Sequence, residues 1–438
     1  LLNNTVLSIY EDKDLNLWLG LDNGINCVMT NSPLEMYYDS KGQLGTVYAS
    51  VRFQNKLYIA TNRGLFYRTL NFSDSEFSLV SGLSGQNWNL EIVNGVLFVG
   101  HDRGTFIVNR ETAIRIGSYI GAWTHRSIDR NTILVGTYDG IHVLKRLNGV
   151  WKYGFKVSGF DISSRHLETI NANQVLISHE YKGVYHLTLS NDLKLAEDVR
   201  KLSVRRGRHA SLAKLNDEVY YLSPNGMFSF NIDEQDFLPL SVSSLIFQND
   251  SFLTGKMIVD QQNRIWTFFE KNIVLLEKNI FDSSFSVQKI PLHSDLRKTN
   301  LGFENVGDLN NGSFVIGTMN GFLNLSLNQY IIPKSQLFFN RITAFDIYQK
   351  ENSLSLIEKS NLSPEMNNIR FEFSAPYYST LNAIQYQWYV EGYHTDWLPW
   401  SDLSFAEFKN LDYGDYTFYV RAQTGQQPIG EVMTYSFS

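Results

Sequence analysis

The chain is poor in nearly everything that would betray a compartment, a metal or a nucleic-acid partner at sight. It has one cysteine, Cys27, in 438 residues, so no internal disulfide can form and the redox compartment stays unread. Set in an apolar strand, that thiol reads as inert and buried. No apolar run approaches the ~20 residues that span a bilayer, and no leader-like segment stands at Leu1. Acidic and basic residues nearly balance, 44 against 38 for a net charge of −6, with no long run of one sign. That removes the electrostatic footprint of a nucleic-acid surface, so no direct nucleic-acid binding is expected. Low-complexity tracts are missing, and 43% hydrophobic with 14% aromatic residues describes a packed globular chain. Segments long and apolar enough to be helices are scarce, whereas glycine occurs 30 times. Many short strands joined by tight turns follow, and the fold class is all-β.

A chain of this length exceeds one ordinary core unless it is built from repeats. A repeat is present: an apolar strand, a short polar turn closed by glycine, and a second apolar strand. It reads LWLGLDNGI from Leu17, LYIATNRGL from Leu57, LFVGHDRGT from Leu97 and ILVGTYDGI from Ile133, with weaker copies from Val175, Val219, Ile265 and Phe314. The corner glycines are Gly24, Gly64, Gly104, Gly140, Gly183, Gly226 and Gly321, mostly about 36 to 46 residues apart, with Asn272 standing in once. A tight hairpin needs positive φ, which glycine supplies without steric cost. Units of roughly 40 residues with several strands each have the spacing of propeller blades, four antiparallel strands apiece. Eight units are counted, which leaves seven or eight blades open.

Ahead of each hairpin a second glycine precedes a short strand, as in GTVYAS from Gly45, GQNWNL from Gly85, GAWTHRS from Gly121, GFDISSR from Gly159, GRHASL from Gly207, GKMIVD from Gly255 and GFENVG from Gly302. In a four-stranded blade this is the innermost strand, so residues just after these glycines line one face and the central channel. Tyr48, Trp88, Trp123, His125, Arg126, Arg165, Arg208 and His209 are therefore the candidate ligand contacts. Aromatic rings pack on the apolar faces of sugars, while Arg, His and amides hold hydroxyl or acidic groups. The run VRRGRH, with Arg205, Arg206, Arg208 and His209, could dock a carboxylate or sulfate bidentately, although a solvated arginine loop explains it as well.

After Gly321 the pattern changes, with Pro333 marking a break, so residues 1–332 are assigned to the propeller and 333–438 to a second domain. There Ile369, Phe371 and Phe373 share one strand face, as do Ile384, Tyr386, Trp388 and Val390, and Tyr416, Phe418 and Val420. Period-two patterning over about 100 residues argues a two-sheet sandwich. NLDYGDYTFYVRA from Asn410 resembles the corner of immunoglobulin and fibronectin-type folds, with Tyr416 as the tyrosine that ties loop to strand. Trp397 and Trp400 read as sandwich core and edge.

VLSIYEDKDLNLWLGLDNGI from Val6, with Asp12, Trp18 and the glycine corner, resembles the propeller repeat of bacterial two-component regulators. Tyr386, Gly392, Trp397, Tyr413, Gly414, Tyr416 and Val420 resemble the triple-tyrosine domain that follows those propellers. The resemblance implies the extracytoplasmic, periplasmic sensor region of a Bacteroidetes-type hybrid two-component sensor kinase, or of a related one-component regulator with a helix-turn-helix output. It also implies an oligosaccharide or other small ligand, an upstream propeller, a membrane helix after the sandwich and a homodimer. In that family two seven-bladed propellers stand in series, so the first unit here either makes an eighth blade or closes an upstream propeller.

Catalytic motifs are missing: the chain has no phosphate loop, zinc spacing or nucleophile elbow. His101, His125, His166, His179 and His186 fit no metal-ligand spacing. Asp102, Asp161, Glu168 and Glu304 are the carboxylates from which a glycosidase or lyase pair could be drawn. The reading is a binding module without catalytic residues, metal or cofactor. A propeller enzyme acting on polysaccharide and an adhesion module are its competitors.

Overall fold

The computed structural model describes residues 2–12, 15–30, 32–70, 76–329, 336–376, 384–424 and 427–438; Pro333 lies outside them. The chain divides into two compact units, residues 1–288 with 297–330, and residues 289–296 with 331–438.

In the first unit, among the described residues, seven four-stranded blades form a ring. Their first strands are Val47–Phe53, Asn87–Val93, Thr124–Asp129, His166–Thr169, Ser211–Leu215, Phe252–Val259 and Val306–Asn310, here taken as blades 1 to 7. Within blades 1 to 6, strands follow in sequence order, and neighbours within every blade pair antiparallel. Blades 1 and 2 also touch through one parallel pair, Ser81 with Thr112. Blade 7 takes its fourth strand from Leu34–Tyr38, ahead of blade 1, in the register Gly321 to Tyr38 and Leu325 to Leu34. The ring is closed again on its inner side, where Asn305 Nδ2 donates to the Val47 carbonyl at 3.1 Å and Arg52 Nη1 to the Leu309 carbonyl at 2.7 Å. Apolar layers fill the gaps between blades, for example Leu134, Ile141, Val143, Leu167, Val175 and Ile177 between blades 3 and 4.

The ring has seven blades and not eight. The first repeat unit instead forms a separate three-stranded sheet, Val6–Glu11, Leu17–Leu21 and Gly24–Val28. All six residues of its first strand are exposed. Cys27 is consequently half-buried, not buried as expected, because among the described residues no blade packs over this sheet as blades do over one another in the ring.

Every corner residue, Gly24 through Gly321 and Asn272 included, begins the third strand of its sheet. Gly140 and Gly321 have φ of 127° and 126°, and a Cβ at either would strike a backbone carbonyl, of Phe160 and Tyr37 respectively. Where the residue closing the second strand is polar, it can cap the turn. Thr61 Oγ1 accepts the N–H groups of Arg63 and Gly64 at 3.0 and 3.1 Å, His101 Nδ1 that of Arg103 at 3.0 Å, and His179 Nδ1 those of Tyr181 and Lys182, both at 3.2 Å. Two of the tempting histidines are thus turn caps.

The second unit is a sandwich. One sheet runs Glu351–Ser353, Phe338–Phe345, Asn368–Ser374, Phe405–Phe408; the other Ile384–Glu391, Tyr416–Thr424, Gln427–Phe437. Ile369, Phe371, Phe373, Phe418 and Val420 are fully buried, and Phe371 stacks on Phe418 with centroids 4.0 Å apart. The Tyr416 hydroxyl donates to the Asp412 carbonyl at 2.9 Å, the loop tie of a tyrosine corner. Trp397 and Trp400 are not core. Strand alternation puts Tyr389, Tyr419 and Arg421 on the outer face, where Arg421 lies 4.2 Å from the Trp397 ring and 5.4 Å from that of Trp400.

Candidate functional site

Seven inner strands around one axis leave a cavity of ≈700 Å³ to which each contributes residues, from Tyr48 in blade 1 to Asp308 in blade 7. That volume lies within the ~300–1,000 Å³ of small-molecule sites. Because first strands start on the side where the hairpin corners lie, residues just after the entry glycines gather at one mouth. Tyr48, Trp88, Trp123 and Phe303 meet there, from blades 1, 2, 3 and the segment leading into blade 7. Ring centroids are 5.2 Å apart for Tyr48–Trp88, 4.9 Å for Trp88–Trp123 and 4.9 Å for Tyr48–Phe303. Arg165, leading into blade 4, lies 3.9 Å from the Phe303 centroid and 5.2 Å from that of Trp123, and donates to the Gly302 carbonyl. A planar guanidinium on aromatic faces is held by the ring quadrupoles.

Below the aromatics, Arg126 is gripped by two carboxylates. Its Nε and Nη2 donate to Glu168 at 2.7 Å each, and Nη1 donates to Glu91 at 3.1 Å. Burial alone would lower the Arg126 pKa, but the two carboxylates overcome it and hold the guanidinium firmly charged. Beside the mouth a smaller recess of ≈150 Å³ is lined by Arg165, His166, His179, Glu180, His209 and Lys256 among others. Burial holds His166 well below the ordinary histidine value, with Arg165 adding to the effect.

The structure brings Tyr48, Trp88, Trp123, Arg126, Arg165 and His209 to these two cavities. It does not bring His125, which strand alternation turns away from the channel into the gap between blades. Its Nε2 lies 2.8 Å from Thr105 Oγ1, its ring faces Phe98, and burial presses its pKa to about 3. Arg208 is 77% exposed and 3.9 Å from Glu180. Phe303, Lys256 and Glu91 were missed, though Phe303 and Lys256 directly follow Gly302 and Gly255 in the recurring pattern.

Two of the carboxylates considered for hydrolysis are otherwise engaged, Asp161 with Lys156 at 2.7 Å and Glu168 with Arg126, while Asp102 lies beside the His101 nitrogen that caps the turn. Glu304 is buried, with Oε2 accepting the Gly302 N–H at 2.9 Å. Among the described residues no three of His, Cys, Asp and Glu converge as metal ligands, and no helix is long and apolar enough to cross a membrane.

Residues 377–428 match the Y_Y_Y domain family. No curated protein matches the sequence. The whole chain superposes on the extracellular domain assigned to the hybrid two-component system BT3049 of B. thetaiotaomicron, at 17% identity and a TM-score of 0.73. It also superposes on that of the one-component system BT4673 of the same organism, at 17% identity and a TM-score of 0.52. It spans 62% and 63% of those structures. At this identity the likeness is one of fold.

Proposed function

We propose that this chain is the ligand-receiving part of an extracytoplasmic sensor in a membrane-spanning bacterial regulator, and that it binds a saccharide without turning it over. The convergence of four aromatic rings and Arg165 at the mouth of a ring-shaped cavity is the observation that carries the reading. Such a surface offers flat apolar faces to a sugar ring and cationic donors to its oxygens. Similarity of fold to extracellular domains of one- and two-component systems, together with the Y_Y_Y match, supports the sensor role. Signal passage requires that ligand favour one arrangement of a homodimer over another, with the sandwich transmitting the difference to a membrane helix. The uncovered three-stranded sheet, which has the strand sequence of a blade without its outermost strand, supports an upstream propeller that completes it.

Calorimetry of the purified chain against a panel of oligosaccharides, with product release followed in the same samples, tests this. Saccharide binding without new reducing ends, lost in Trp123→Ala, is expected. Product formation would establish the lyase or glycosidase reading instead.

A further inference from the structure

The small recess beside the aromatic mouth lacks the direct charge pairing found in the channel below it. Arg126 in the channel is answered by Glu168 and Glu91. Arg165 and Lys256, which both line the recess, have no ion-pair partner among the described residues. Stacking on Phe303 and Trp123 and a bond to the Gly302 carbonyl fix the Arg165 plane but supply no counter-charge. Of the nearby carboxylates, Glu180 accepts the His209 backbone N–H at 3.0 Å and lies 3.7 Å from the His209 ring and 3.9 Å from Arg208. Glu304 is buried against the Gly302 N–H, and burial pushes its carboxyl toward the neutral form.

Glu304 acts on both cations from a distance, with Glu180 adding for Arg165 and Glu91 for Lys256, but enclosed cations without a direct ion pair still gain from an anion that supplies one. Burial, and then Arg165 itself, pulls the Lys256 ammonium down to about 8; burial pulls Arg165 to about 10. Both remain charged at neutral pH. An ammonium, a guanidinium edge and the His209 imidazole converging on one small space form the donor set that grips a carboxylate or sulfate oxygen by charge-assisted hydrogen bonds. The recess admits one such substituent while Trp123 and Phe303 offer a platform beside it. We infer that the recess is an anion subsite, and that the ligand is an acidic sugar whose carboxylate or sulfate ester sits between Lys256 and Arg165. That the anion rides on a sugar rests on the function proposed above; the anion subsite does not.

Two arms separate these claims. In the first, a few millimolar sulfate replaces chloride at constant ionic strength, low enough that general salting-out is negligible, and thermal unfolding is followed. Sulfate should raise the Tm of the native chain and of Lys256→Arg, but not of Lys256→Met. A sulfate response that is missing in the native chain, or unchanged in Lys256→Met, overturns the anion subsite. In the second arm, glucuronate, glucose 6-sulfate and glucose are titrated by calorimetry. At least one acidic sugar should bind about tenfold more tightly than glucose, with the advantage lost in Lys256→Met. Which acidic sugar binds distinguishes carboxylate from sulfate ester. Equal affinity for glucose and both acidic sugars overturns the inference and leaves the saccharide reading standing. Failure of every sugar, with the sulfate response intact, overturns the saccharide reading and leaves the anion subsite.

Discussion

At the scale of single residues, the channel is organised by Arg126 more than by any aromatic. Its guanidinium neutralises Glu91 and Glu168, which reach it from blades on either side. Replacing one member of such a cluster leaves uncompensated charge in a confined space. Arg126→Met should therefore cost about 3 kcal/mol in denaturant unfolding, whereas Arg208→Met, on an exposed side chain, should cost less than about 0.5 kcal/mol. Histidines give the second expectation. His101, His125, His142, His166, His179, His186 and His209 are all shifted downward, in each case chiefly by burial. A histidine whose folded pKa lies below its unfolded value of about 6.5 stabilises fully above that value and progressively less as pH falls through it. For His125 this amounts to about 2 kcal/mol between pH 6.5 and 5. The Tm of the first unit should fall by several degrees from pH 7.5 to 5, and a flat or rising Tm contradicts the assignment. Tyr48, Trp88, Trp123 and Arg165 were legible because each stands a few residues after a recurring glycine. His125 was misplaced because position in a motif was read without the alternation of the strand, which sends neighbouring side chains to opposite faces.

At the scale of elements, the hairpin corner is the unit from which everything else is measured. Its glycine was legible, and so was the sandwich face carrying Ile369, Phe371 and Phe373. The reason for the glycine was only half legible. Positive φ is one part; the other is a carbonyl brought close from the segment that follows the blade, as Phe160 is to Gly140. Gly140→Ala must relieve both, and should destabilise the first unit by more than about 2 kcal/mol. Asn272, which has no positive φ and donates to Asp250 at 2.7 Å, shows why one blade manages without glycine. Asn272→Gly should lower stability by removing that bond, and a gain on this substitution would refute the account. Trp397 and Trp400 were beyond sequence reading, because an aromatic stacked on Arg421 and one packed in a core look alike in a string of letters.

At the scale of the whole molecule, counting repeats gave eight where the ring has seven, because a repeat marks a sheet and not its membership in a ring. The three-stranded sheet of Val6–Val28 has its first strand exposed throughout and Ile25 and Val28 uncovered. Amide hydrogen exchange on this chain should be fastest there and slowest in the second strands of blades 3 to 5, which are almost wholly buried. Uniform protection from Val6 to Asn310 would mean that the sheet is covered in a way not described above.

The clasp of blade 7 has a consequence for how the protein is made. Glu35 meets Asn324 across 289 residues, so a strand synthesised ahead of blade 1 must wait until almost all of the ring has left the ribosome. During that wait Leu34–Tyr38 is a bare strand edge carrying Met36, Tyr37 and Tyr38, open to other chains. Yield in the cell should then depend less on the final strength of the ring than on how long this ribbon is shielded.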